Sequence, residues 1–466
     1  MILYPDDPRQ LEFASRADVL SDEPLLGVVE DFVAGLDLGV LYGRYREGGR
    51  PFFDPGMQLK VLIFAYCDGV RSCREIAKHI RFDLRYRYFC GSLRPDFRTI
   101  NRFRKDNLDL LSDYFVQLVL SCRARGLLDT ALLALDGTKI RASASGRKRG
   151  RERLSAAIRK RLEEDIAAEG LSDDDAGDSS EAGDDSQAPL SSDPDARFMK
   201  TSEGGKRLSY NSQVVVDRNQ IIVAADVDNN ADDSVQFQAM MQESARILGG
   251  PPERVVADGG YYSGANVSYG DSHGIDLYLP VSPSGRVPDS HFHRDAFEYD
   301  SGHDRYRCPA GRCLTFQRER RRRGVTVRIY RGGTAVCGKC SFRSRCTTGR
   351  YRLLEISEHY HAERAMQKKL SGKEGRAIYN QRKQLVEPVF GNLKFNLGFV
   401  RFALRTLPKV KGEFLLMCIA HNLKKLAAMR ILMPTLSKVR RLFIVLVGMF
   451  RKFALPKRTL KIFAAA

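Results

Sequence analysis

Leu132-Leu133-Ala134-Leu135-Asp136-Gly137-Thr138-Lys139-Ile140 and Arg254-Val255-Val256-Ala257-Asp258-Gly259-Gly260-Tyr261-Tyr262 share one design. Each is a short apolar run that ends in a polar turn, the pattern of a buried strand. Each run closes on an Asp, and in open α/β sheets ligands bind beyond the carboxyl ends of the strands. The Gly that follows lets backbone and ligand approach closely. Between the two lie further elements. Residues 213–217 and 220–225 read as paired strands around Arg218-Asn219, and residues 233–248 as an amphipathic helix. Helical texture returns over residues 359–430. Hairpin strands, a helix, a strand and then helices predict an α/β core with a mixed sheet.

Outward from that core, residues 1–125 read as helical. Phe53-Asp54-Pro55 is a helix start, and the spacing of Ser72 and Glu75 predicts a capping box. Residues 96–104 read as a turn into a basic helix, carrying Arg102 and Arg104. Short helices with an Arg-rich last member suit a helix-turn-helix arrangement on DNA.

The chain has 466 residues, with 76 Lys plus Arg against 57 Asp plus Glu, a formal charge of +19. Residues 163–196 hold acidic side chains and no Lys or Arg, so the remainder is more basic still. Such an excess points to a polyanionic partner, nucleic acid first. The acidic stretch cannot bury enough apolar area to offset its ordering entropy and reads as a disordered linker. The apolar run at 442–450 is too short to span a bilayer, and no export signal opens the chain. The expectation is a cytoplasmic protein without membrane association. Residues 431–466 read as a basic amphipathic tail.

A third acid, Glu387, stands in a strongly basic segment, Tyr379-Asn380-Gln381-Arg382-Lys383-Gln384-Leu385-Val386-Glu387-Pro388. A lone carboxylate on a DNA-like surface weakens phosphate binding unless it has another task, such as holding a divalent metal. Three carboxylates suffice for two Mg²⁺ ions in phosphoryl transfer, because Mg²⁺ takes oxygen ligands and keeps several waters. Separately, Cys308, Cys313, Cys337, Cys340 and Cys346 have the knuckle-and-loop spacing of a structural Zn²⁺ site. Four thiolates close a tetrahedron, and the spacing leaves open which four. Between them, residues 318–323 read as an Arg-rich ribbon tip touching phosphate.

Taken in order, these blocks resemble the DDE transposases of bacterial insertion sequences, in the subgroup with a cysteine-rich insertion before the last acid. The carrying residues are Asp136-Gly137-Thr138-Lys139, Tyr210-Asn211 with Gln213, Ala257-Asp258-Gly259-Gly260-Tyr261, and Val386-Glu387-Pro388-Val389-Phe390-Gly391 with Lys394. Ala420-His421-Asn422-Leu423-Lys424 belongs with them. The resemblance implies a ribonuclease H-like core with Asp136, Asp258 and Glu387 holding Mg²⁺ or Mn²⁺. It implies DNA contacts from Lys139, Tyr379, Arg382 and Lys394. Four residues separate Arg382 from Glu387, where the broader family has three, and Pro388 is expected to disturb the helix.

The implied layout is a helical DNA-binding domain (1–125), a first core segment (126–300), a zinc-ribbon-like insertion (301–350) and a last core segment with the Glu387 helix (351–430). The implied activity is strand cleavage at terminal inverted repeats and strand transfer into target DNA. Double-stranded DNA is the partner, a homodimer pairing two ends the expected assembly, and the bacterial nucleoid the expected place. Two alternatives stay open: a retired transposase that only binds DNA, and a nuclease of the same fold without strand transfer. A haloacid-dehalogenase-like phosphatase is disfavoured, because Ala134 stands where its nucleophilic Asp belongs.

Overall fold

The computed structural model describes residues 19–20, 22–45, 52–144, 192–201, 204–280, 292–322 and 324–429. The expectations for residues 163–191, for the tail 431–466 and for its apolar run lie outside these. In chain order, helices α1 (Pro24–Gly35), α2 (Pro55–Cys67), α3 (Cys73–Phe82), α4 (Leu84–Cys90), α5 (Phe97–Asp106) and α6 (Leu111–Ala124) precede strand β1 (Leu133–Arg141). Then come β2 (Arg197–Lys200), β3 (Lys206–Val216), β4 (Ile222–Asp228), α7 (Phe237–Leu248), β5 (Arg254–Ala257), α8 (Gly264–Ser272) and β6 (Asp276–Tyr278). The second sheet is β7 (Glu298–Asp300), β8 (Arg305–Arg307), β9 (Cys313–Arg322), β10 (Val325–Gly332) and β11 (Leu353–Ser357). Helices α9 (Tyr360–Ser371), α10 (Lys373–Gly391) and α11 (Leu407–Ala428) follow.

The chain divides into two units. One comprises Met1–Asp129, Gly137–Ala231 and Glu387–Ala466. The other comprises Thr130–Asp136 and Asp232–Val386.

In the first unit the helix starts follow from their caps. Asp54 accepts the Met57 N–H at 2.6 Å ahead of Pro55, and Asp96 accepts the Thr99 N–H at 2.7 Å. Each satisfies one of the amides that a helix leaves without a partner. Ser72 precedes α3, but its hydroxyl makes no capping bond, so the expected box with Glu75 does not form. Helix α2 is buried on almost every side, and α11 packs against it and against β4. A helix apolar all round belongs inside a core.

Strand β3 pairs antiparallel with both β2 and β4 and has β1 on its other edge. From Leu208 onward it is buried throughout. Helix α11 holds this sheet by polar contacts. The Asn422 amide accepts the Ile222 N–H and donates to the Ile222 carbonyl, both at 2.9 Å. His421 joins the Gln220 carbonyl through Nε2, while the Asn392 amide donates to its Nδ1. The family-like run from Ala420 to Lys424 therefore includes two residues that dock a strand. Asp193, read as part of a disordered linker, is buried. It accepts the Tyr210 hydroxyl at 2.8 Å and the Thr406 N–H at 3.1 Å. Residues 192–196 thus belong to the folded unit.

In the second unit, the opening residues of β1 pair parallel with β5, Leu133 with Val255 and Leu135 with Ala257. Strand β5 pairs parallel with β6. The second sheet is antiparallel in the order β11-β10-β9-β8-β7. Tyr306, Leu314, Tyr330, Leu354, Ile356 and Tyr360 form its core. Among the described residues, no helix is long and apolar enough to cross a membrane.

Candidate functional site

The parallel register of β1 and β5 decides the geometry. Leu135 and Ala257 are partners, so the next residue on each strand is an acid: Asp136 beside Asp258. Neighbouring strands lie about 4.8 Å apart, which sets the two carboxylates side by side. Asp258 follows β5 directly, and its Oδ1 accepts the Gly260 N–H at 2.8 Å. Asp136 is not at a strand end, because β1 continues to Arg141. The apolar run read from sequence ends at Leu135 while the backbone pairing goes on. Within the first unit, the glycine after Asp136 has a steric reason: a Cβ on Gly137 would lie 2.6 Å from the Gln213 amide.

Two adjacent carboxylates need a counter-charge, and Arg382 supplies it. From α10 its Nη1 reaches Asp136 Oδ2 at 2.8 Å, with side-chain exposures of 13% and 18%. Tyr379, one turn earlier on the same face, hydrogen-bonds Arg382. Burial opposes the Arg382 cation, but Asp136, Tyr379 and Asp258 outweigh it and hold the guanidinium's pKa above its ordinary value.

A third acid emerges that sequence reading placed only as the start of a helix. Asp233 Oδ2 lies 3.4 Å from where a Gly260 Cβ would stand, next to Asp258 Oδ1 at 2.9 Å from the same point. The buried Tyr261 phenol registers the cluster. Burial, then Asp233, Asp136 and Asp258, push its pKa well up, and Arg382 pulls it back. The signal available in sequence was the acid pair Asp232-Asp233, which also reads as ordinary helix capping.

Glu387 is exposed on α10, five residues beyond Arg382 and the first residue of the other unit's last segment. At 3.6 residues per turn it projects about 140° around the helix from Arg382. Pro388 does not break α10, which continues to Gly391 and then widens into a π-helical turn over Asn392–Asn396. The Leu397 N–H donates to the Asn392 carbonyl at 2.9 Å. Lys394 lies within this wider turn. Lys139 is half-buried on β1.

On the N-terminal helices Arg102 is exposed, in an open cleft of about 710 Å³ whose lining includes Arg71, Arg74, Arg98 and Lys105. Arg74 and Arg98 lie over the Phe97 ring, at 5.2 and 5.7 Å. Arg104, expected beside Arg102 on that surface, is 6% exposed. Its guanidinium donates to the Arg71 carbonyl at 2.9 Å and Asn101 at 3.2 Å. The α5 periodicity turns it inward, where it braces Arg71 and Asn101.

Cys308, Cys313, Cys337, Cys340 and Cys346 line one cavity of about 30 Å³. Burial raises the Cys346 thiol pKa, and Cys308, Cys337 and Cys340 add to the rise. No three of these sulfurs lie within 4.8 Å of one another. Among the described residues the trio that does meet that spacing is Asp68, His79 and Asp83. Arg85 already bridges its two acids, at 3.0 and 2.8 Å, so it is an ion-pair network of the helical domain.

A family model for a transposase DDE domain matches residues 307–427, the span that holds the cysteines, Tyr379, Arg382, Glu387 and Lys394. A second, for a transposase domain (DUF772), matches residues 18–106 of the helical region. No curated protein matches the chain. Both matched domains are transposase domains, and they stand in the order that the sequence blocks imply, which supports an insertion-sequence DDE transposase.

Proposed function

We propose that this transposase catalyses Mg²⁺-dependent strand cleavage at the terminal inverted repeats of its element, followed by strand transfer into target DNA. The observation that carries this reading is the pair Asp136 and Asp258, side by side on parallel strands with Arg382 against them. The strand order around β1 supports a ribonuclease H-like core.

Asp136, Asp258 and Glu387 would hold Mg²⁺ or Mn²⁺. The donor set fits: the ligands are all carboxylates, and a buried guanidinium already balances two of them. When bound, two such cations would supply the activation of a water or 3′-hydroxyl and the stabilisation of the leaving oxygen. The protein's own groups do the rest. Arg382 and Tyr379 hold the Asp136 carboxylate in place, and Gly137 and Gly260 keep side chains out of the approach. Lys139 and Lys394, with Arg102 on the helical domain, are assigned to phosphates of the element ends and target. Four of the five cysteines are assigned to a structural Zn²⁺, because all five line one cavity. Two protomers bringing two ends together is the proposed assembly.

The test incubates the protein with Mg²⁺ and labelled duplexes carrying the element's own flanking ends, beside Asp136→Asn. Nicked and joined products in wild type alone support the proposal. Nicks without joining point to a nuclease, and binding without cleavage in either protein points to a retired DNA-binding protein.

A further inference from the structure

The second sheet carries a feature that the acidic site does not use. Strands β9 and β10 form a hairpin whose far end outruns both neighbours. On one side β8 pairs with β9 only up to Thr315. On the other, β11 reaches Val327, and the last bond is the Glu358 N–H to the Thr326 carbonyl. Beyond Val327, at Arg321 opposite Thr326 and Arg322 opposite Val325, the ribbon is two strands wide. Gly324, at φ +84°, supplies the turn that other residues rarely adopt.

The charge is concentrated there. Residues 313–332 contain seven Arg, one Glu and no Lys. Every β9 residue from Thr315 to Arg322 is exposed. Alternation sends Arg318, Arg320 and Arg322 to one face and Arg321 to the other. Glu355 faces two of these cations, Arg320 at 2.8 Å and Arg322 at 3.9 Å, so the tip stays strongly positive. Guarding an open edge against aggregation explains scattered charge, with Lys the usual choice. It does not explain a cluster whose cations are all Arg, a residue whose planar fork suits phosphate and base edges.

We infer that the β9–β10 tip is a second nucleic-acid contact that enters the major groove of double-stranded DNA. That groove admits a two-stranded ribbon, whereas the major groove of duplex RNA is too narrow to be read. The inference deepens the reading above and rests on it only for the class of partner.

The test uses the full chain with Arg318, Arg321 and Arg322 all changed to Gln, in Mg²⁺-free buffer, binding a DNA duplex across a salt series. A melting curve and a matching Arg→Lys triple accompany it. The expected result is a salt slope lowered by roughly 2–3 and affinity down at least tenfold near ~0.15 M salt. Melting should be unchanged, the Lys triple should keep most of the slope, and duplex RNA should compete poorly. An unchanged slope overturns the inference, as does a variant that aggregates while binding DNA normally, or equal competition by duplex RNA. Because no cleavage is read, a wild type that binds but never cuts would defeat the proposed catalysis and leave this result standing.

Discussion

Arg382 Nη1 and Asp136 Oδ2 lie 2.8 Å apart, two oppositely charged side chains largely withdrawn from water. Such a pair is costly to break from one side, because the partner charge is left buried. Here the left-behind charge would also face Asp258 and Asp233. Removing the cation therefore makes the pocket a stronger attractor for another one.

Arg382→Gln should lower stability by about 3 kcal/mol in metal-free buffer. Millimolar Mg²⁺ should recover more of the loss in the variant than it adds to wild type. Thermal melts with and without Mg²⁺ measure both. Equal Mg²⁺ shifts in the two proteins would mean that the acids near Arg382 do not take the metal.

The paired arginines of α5 should separate cleanly. Arg102→Ala should weaken duplex binding and reduce the salt slope by about one, with melting unchanged. Arg104→Ala strips buried bonds to Arg71 and Asn101 and should cost roughly 2 kcal/mol. Melting and salt-titrated binding of the two variants decide it; the opposite pattern would reverse their roles.

These two residues show where sequence reading stops. Both belong to one basic run, and composition cannot say which side faces inward; only the packing of α5 turns Arg104 in. Asp136 and Asp258 could be singled out because an apolar run closing on Asp-Gly leaves a local pattern, although β1 itself continues to Arg141. Asp233 was not, because it joins the cluster through a fold that returns it beside Gly260. Pro388 was expected to disturb the helix, which continues past it to Gly391 and then widens into a π-helical turn. A widened turn has no strong residue signature. Asp193 looked like linker because its acidic neighbours hide the one carboxylate that Tyr210 and Thr406 hold.

The cysteine cavity predicts about one zinc per chain by elemental analysis. Cys337→Ser should reduce it sharply and lower the melting temperature. Metal-free wild-type protein with an unaltered melt would remove zinc from the account.

His421 gives a pH dependence. Burial lowers its pKa to about 4, against an ordinary value of 6.5. The folded state therefore favours neutral imidazole, whose Nε2–H suits the Gln220 carbonyl. Stability from this group is complete above pH ~6.5 and is lost as pH falls toward ~4, about 3 kcal/mol in all. Other groups titrate in that window, so the measurement is the difference between wild type and His421→Gln in denaturant melts from pH 7 to 4. The gap should narrow as pH falls; a constant gap would mean that His421 does not carry the effect.

The most direct test of the central claim, that Asp136 and Asp258 hold one divalent cation, needs no DNA. Fe²⁺ would replace Mg²⁺, and ascorbate with peroxide would then cut the polypeptide wherever the iron is bound. Cuts are expected near residues 136 and 258, suppressed by excess Mg²⁺ and absent in Asp136→Asn. Cutting that spares both segments, or that persists unchanged in Asp136→Asn, would contradict that claim.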